Sequence, residues 1–160
     1  MTAINSFVKV SGDLFQNTDF LDWVGILSKT ESVTICVGGG AQINQAFAEA
    51  GFFVGKHGPL GREAKTDDEK TLAKDVLKKN RSTLENLLST KHIHAKVIIP
   101  IMVIGDVECH INGDTMLLTS YVGFDRLYAI TTENRVELKK KMFDGLPKIQ
   151  IIGFPEKHKQ

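Results

Sequence analysis

The chain has 160 residues, the length of one domain, and is long enough to bury a core without disulfides or metals. Hydrophobic residues make up 42% and charged residues 24%, ordinary values for a globular protein. With 20 basic and 19 acidic residues the net charge is +1, so no overall field exists to hold nucleic acid or an anionic membrane, and neither is expected as a partner.

The elements follow in chain order. Phe7–Val10 reads as a strand entering a turn at Ser11-Gly12. Thr18 or Asp19 is placed to cap a helix whose apolar face is Phe20, Trp23, Val24 and Leu27. Val33–Val37 is a β-branched strand running into Gly38-Gly39-Gly40, and a helix with Ile43, Phe47 and Ala50 on one face follows, ending at Gly51. Phe52 to Arg62 is a glycine-rich loop. Thr66-Asp67-Asp68-Glu69 has capping-box spacing and opens a long helix with Leu72, Val76, Leu77, Leu84, Leu87 and Leu88 on its apolar face. Val97 to Ile104 reads as strand, in one piece or in two around Pro100. After Ile111-Asn112-Gly113-Asp114 comes a short helix with Leu117, Leu118 and Tyr121 facing inward, then strands at Arg126–Thr131 and Lys148–Phe154.

Strands alternating with helices predict an α/β fold, a three-layer sandwich with a mostly parallel central sheet. Residues 1–160 form a single domain, of which 155–160 is a charged, exposed tail. Cys36 and Cys109 sit in apolar stretches without CxxC or Cys/His spacing, as reduced thiols of a cytoplasmic protein do, and no metal site is expected. No signal peptide is visible at the N-terminus, and the run Val97 to Ile104 is too short to span a bilayer.

Ligands of open α/β sheets bind where strands end and loops begin. Three features fall there: Lys9 to Asp13, Gly38-Gly39-Gly40, and Asn112-Gly113-Asp114. The triple glycine fits neither GxGxxG nor GxxxxGK[ST], and a tight turn and an anion site both remain open for it. Lys9 lies between Val8 and Val10 in a buried-type strand, which is costly unless its ammonium meets an anion or a carboxylate; an edge strand would instead point it to solvent. Asp114 alone reads as a helix cap.

Taken together these segments resemble the amino-acid kinase superfamily. Phe7 to Leu14 looks like its opening strand and loop, Val37-Gly38-Gly39-Gly40 its second strand and glycine loop, Gly61-Arg62 with Thr66 to Glu69 the loop that meets an amino-acid acceptor, and Asn112-Gly113-Asp114-Thr115 its Asn-Ala-Asp-Thr element. The resemblance runs over roughly residues 6–132. It implies the acceptor lobe of that fold, a phosphotransferase using MgATP on a small carboxylate, carbamate or phosphate acceptor, and a homo-oligomer. It also implies roles. Lys9 neutralises charge on the transferring phosphoryl group, and Asp114 holds that lysine without taking a proton. Gly12, Gly39 and Gly40 give backbone donors, Arg62 clamps the acceptor, and Asn112 hydrogen-bonds it.

The family's nucleotide lobe follows the Asp element. Here the chain runs 26 residues past Asn134, and the second catalytic lysine has no motif: Lys139, Lys140, Lys141 and Lys148 are all candidates. Activity is therefore left open against two alternatives, a non-catalytic anion-binding or regulatory module and a structural oligomer subunit. Lys139-Lys140-Lys141 reads first as a surface run, His92 and His94 as surface histidines, and His110 as structural, while His57 is placed to touch a substrate.

Overall fold

A computed structural model describes residues 2–55 and 57–156. Strand β1 (Ile4–Val10) alternates its side chains across the sheet, sending Val8 and Val10 to one face and Phe7 and Lys9 to the other. Helix α1 (Thr18–Leu27) is capped one residue earlier than expected. Asn17 has extended backbone, its side-chain oxygen accepts from Phe20 N at 3.1 Å, and its Nδ2 donates to the Pro155 carbonyl, so the amide serves two partners at once.

Strand β2 (Glu31–Val37) leads through the glycines into α2 (Gly40–Ala50), which ends at Gly51 in the left-handed conformation, φ 77°. Ile43 and Phe47 face inward, but Ala50 lies in the last turn and is exposed. Helix α3 (Asp67–Thr90) is capped by Thr66 Oγ1, which accepts from Glu69 N. Glu69 completes only half of the box: its carboxylate accepts from Lys65 N instead of from Thr66 N.

The run 97–104 is not one strand of the sheet. β3 (Lys96–Ile98) joins the sheet, whereas β4 (Ile101–Ile104) leaves it and pairs antiparallel with β5 (Val107–His110) through Gly105-Asp106. Pro100 has no N–H to continue the ladder, and Gly105, at φ 59°, makes a two-residue hairpin turn. Next come α4 (Gly113–Thr119), β6 (Arg126–Thr132), a 3₁₀ turn (Glu133–Arg135), α5 (Val136–Met142) and β7 (Ile149–Phe154). Leu117 is buried, but Leu118, on the other side of α4, is exposed.

The main sheet is parallel throughout, with strand order β3-β2-β1-β6-β7. One face packs Val8, Val10, Val33 and Ile35 against Phe20 and Val24 of α1 and Leu84 and Leu88 of α3. The other packs Phe7, Leu127 and Ala129 against Met116 and Leu117 of α4 and Phe143 at the end of α5. A third cluster joins Ile43 and Phe47 of α2 to Ala73 and Leu77 of α3. The architecture is therefore an α/β three-layer sandwich. Among the described residues no helix is long and apolar enough to cross a membrane.

Candidate functional site

The chain moves from β1 outward to β3, then crosses back to place β6 on the other side of β1. Such a reversal opens a crevice over the strand C-termini. Lys9, near the end of β1 and in register with Cys36 and Ala129, lies beneath that crevice. Its stem runs under the start of α4, where a Cβ on residue 113 would stand 2.6 Å from Lys9 Cε; glycine is needed there for close approach.

Lys9 Nζ lies 3.3 Å from Asp114 Oδ1, an ion pair rather than a directed hydrogen bond. The other oxygen, Oδ2, accepts from Lys139 Nζ at 2.6 Å. The Lys139 side chain is only 6% exposed, so the first residue of the expected surface run is buried while its neighbours are not. Val136 and Phe143 lie one turn before and after it, so α5 turns this residue inward with its apolar face. Burial pushes the Lys9 ammonium below its usual pKa, Asp114 opposes that shift, and Lys139 adds to it. For Asp114 burial acts upward, but the two ammoniums outweigh it and hold the carboxyl below its usual value. Asp114 is thus an ionised clasp between two lysines from different strands and helices. It does not cap α4: Asn112 does, with its side-chain oxygen accepting from Thr115 N at 2.7 Å.

Beside the clasp is a cleft of about 160 Å³ lined by Lys9, Gly12, Gly39, Gly40, Arg62 and Asn112, among others. Six of the seven residues singled out from sequence therefore share one cavity, and the seventh, Asp114, touches its lysine. α2 starts at this cleft without a side-chain cap, because Gly39 precedes it. A Cβ on Gly39 would press Asn80 Nδ2 at 2.8 Å, and one on Gly12 would collide with the Gln42 amide that donates to the Gly12 carbonyl.

Arg62 comes from the glycine-rich loop. Its guanidinium donates to Asn44 Oδ1 at 2.6 Å, stacks over the Phe47 ring at 5.1 Å, and makes no ion pair among the described residues. His57 lines the same cleft, its pKa lowered by burial and then by Arg62. Asn112 is already engaged at both ends: its Nδ2 donates to the Pro59 carbonyl, and its main-chain N–H donates to Leu60. It fastens the Arg62 loop to α4. Gly61 packs in the same seam, where a Cβ would meet the His110 carbonyl at 2.5 Å.

A wider concavity, about 660 Å³, lies at the opposite end of the sheet, lined by Glu31, Ser89, His92 and His94 among others. Glu31 there is fully partnered, by Ser6, Arg126 and Tyr128. Among the described residues no group of three or more His, Cys, Asp or Glu side chains is placed to hold a metal ion. No protein-family model matches the chain, and no curated protein is similar to it.

Proposed function

We propose that the chain is a phosphotransferase of the amino-acid kinase type, which moves the γ-phosphoryl group of MgATP to a small carboxylate, carbamate or phosphate acceptor. The observation that carries this reading is the pair of buried lysines held on either side of Asp114 at the switch point of the sheet. Phosphoryl transfer needs little covalent help from a protein; it needs cations fixed where charge develops on the transferred group. Asp114 fixes Lys9 and Lys139 without taking a proton, since both ammoniums favour its ionised form. An acceptor oxygen held between Lys9 and Arg62 attacks the γ-phosphorus, the bond to the β–γ bridging oxygen breaks, and ADP leaves. The magnesium ion enters on the phosphates of ATP, as is usual for this ion. Lys139 fills the place that the resemblance reserves for a second lysine.

The test is calorimetry with MgATP together with an assay of ADP release over a panel of small carboxylates and phosphates. MgATP binding and acceptor-dependent ADP release are expected, and Lys139→Met is expected to lower turnover at least about a hundredfold. Absence of MgATP binding and of acceptor-dependent ADP release would sink the reading, whether or not anions bind.

A second reading, a non-catalytic small-anion-binding module, is favoured by Arg62, whose guanidinium has no carboxylate partner among the described residues, while Asp114 holds both lysines. It predicts that anions stabilise the fold and MgATP does not. For self-association, the hairpin residues Val103, Ile104 and Val107 offer exposed apolar surface.

A further inference from the structure

The cleft beside Lys9 is not a uniformly polar anion hole. Its cationic side is Lys9 and Arg62, but the rest of its wall is mostly carbon, from Ile43, Ala73, Leu77, Pro100 and Ile111. A phosphate or carboxylate alone would leave that surface wetted. A bulky polyhydroxylated ligand would bury hydroxyl groups against carbon without partners, which is costly.

Ser11, His57, His110 and Asn112 are the cleft's uncharged polar side chains. His110 lines the cleft, its side chain is 10% exposed, and its Nε2 is buried with no hydrogen-bonding partner. Glu108 Oε2 is 3.9 Å away, beyond hydrogen-bond reach, and that carboxylate is taken by Lys74. That nitrogen is closed off beside Glu108, which does not line the cleft, so His110 belongs to the packed wall. Ile111 N donates to the Pro100 carbonyl, so two of the apolar wall residues are held together by the backbone.

We infer that the cleft takes a small amphiphilic anion, a single carboxylate or phosphate on a short aliphatic body. This rests on the reading of the cleft as the acceptor site and narrows the acceptor class. The anion pairs with Arg62 and Lys9, and the aliphatic body lies along Leu77 and Ile111.

Titration calorimetry of the full chain with inorganic phosphate, methyl, ethyl and butyl phosphate, glycerol phosphate, and the matching series from acetate to pentanoate tests this. Affinity should rise about fourfold per methylene, the factor that corresponds to about 0.8 kcal/mol. Butyl phosphate should bind more tightly than glycerol phosphate. The stronger of the two series identifies the head group. If every anion binds equally well and glycerol phosphate matches butyl phosphate, the inference is overturned while the anion cleft stands. If no member of either series binds, the acceptor-site reading falls with it.

Discussion

Two carboxylates, Glu31 buried and Asp114 half-buried, sit at opposite ends of the sheet and are built for different purposes. Glu31, where β2 begins, accepts from Ser6 Oγ, Arg126 and Tyr128 Oη, so its hydrogen-bonding capacity is used inside the fold. Asp114, over the strand C-termini, meets among the described residues two ammoniums, one of them through an ion pair without hydrogen-bond geometry. The larger cavity adjoins Glu31, the smaller one Asp114. Cavity size would choose the first as a site. Unspent charge chooses the second, because a ligand there gains partners that the protein has not already satisfied.

The largest expected effect breaks the clasp. Asp114→Ala leaves Lys9 and Lys139 buried and facing each other, and should cost about 3–5 kcal/mol, read from urea unfolding. Adding Lys139→Met should recover part of that loss, since it removes one of the two stranded charges. A double variant no more stable than the single one would mean that the lysines do not oppose each other through this carboxylate.

Glu31→Ala is next. It strands Ser6 Oγ and Tyr128 Oη in the interior and should cost about 2–3 kcal/mol, with Arg126 contributing little because it is half exposed. Anion affinity should stay unchanged, and a lost affinity would erase the contrast between the two ends. Arg62→Ala reverses the pattern: anion binding measured by calorimetry should weaken about tenfold or more, while the melting temperature moves little.

Acid titration separates the clasp in a further way. Asp114 has a folded pKa held below its ordinary 3.8. Its contribution to stability is therefore complete above about pH 3.8 and lost as the pH falls through the lower folded value. The stability gap between the native chain and Asp114→Asn should narrow in that window. A gap independent of pH would show that Asp114 does not act as an ionised partner.

Much of the cleft could be read in the sequence because its parts are local signals. Glycines after strands, a lysine among valines and Asn-Gly-Asp before a helix all sit at strand ends, and the fold gathers strand ends. Thr66 was legible as a cap for the same reason. Lys139 was hidden by composition: three consecutive lysines look like surface, and only its spacing from Val136 and Phe143 marks it as inward. The hairpin left a signal in Gly105-Asp106, but the β-branched residues on both sides of Pro100 let two strands read as one run.

The smallest prediction tests the end of the molecule that the proposals leave without a ligand. Helix α3 ends in a Schellman arrangement: Ile93 N donates to the Leu88 carbonyl at 2.9 Å and His92 N to Ser89 at 3.0 Å. This motif needs a left-handed residue where His92 stands, and His92 has φ 56°, the only non-glycine among the described residues with positive φ. A histidine there costs about 1–2 kcal/mol in backbone strain, and glycine would give back roughly 0.5–1 of it to the greater freedom of the unfolded chain. His92→Gly should therefore stabilise the fold by about 0.5–1 kcal/mol, a rise of a few degrees in melting temperature. It should leave anion binding near Arg62 untouched, because the two cavities share no residue. If His92→Gly instead weakened anion binding, the strain would belong to a device that couples the two ends of the sheet, and Asp114 and Glu31 could no longer be treated as independent.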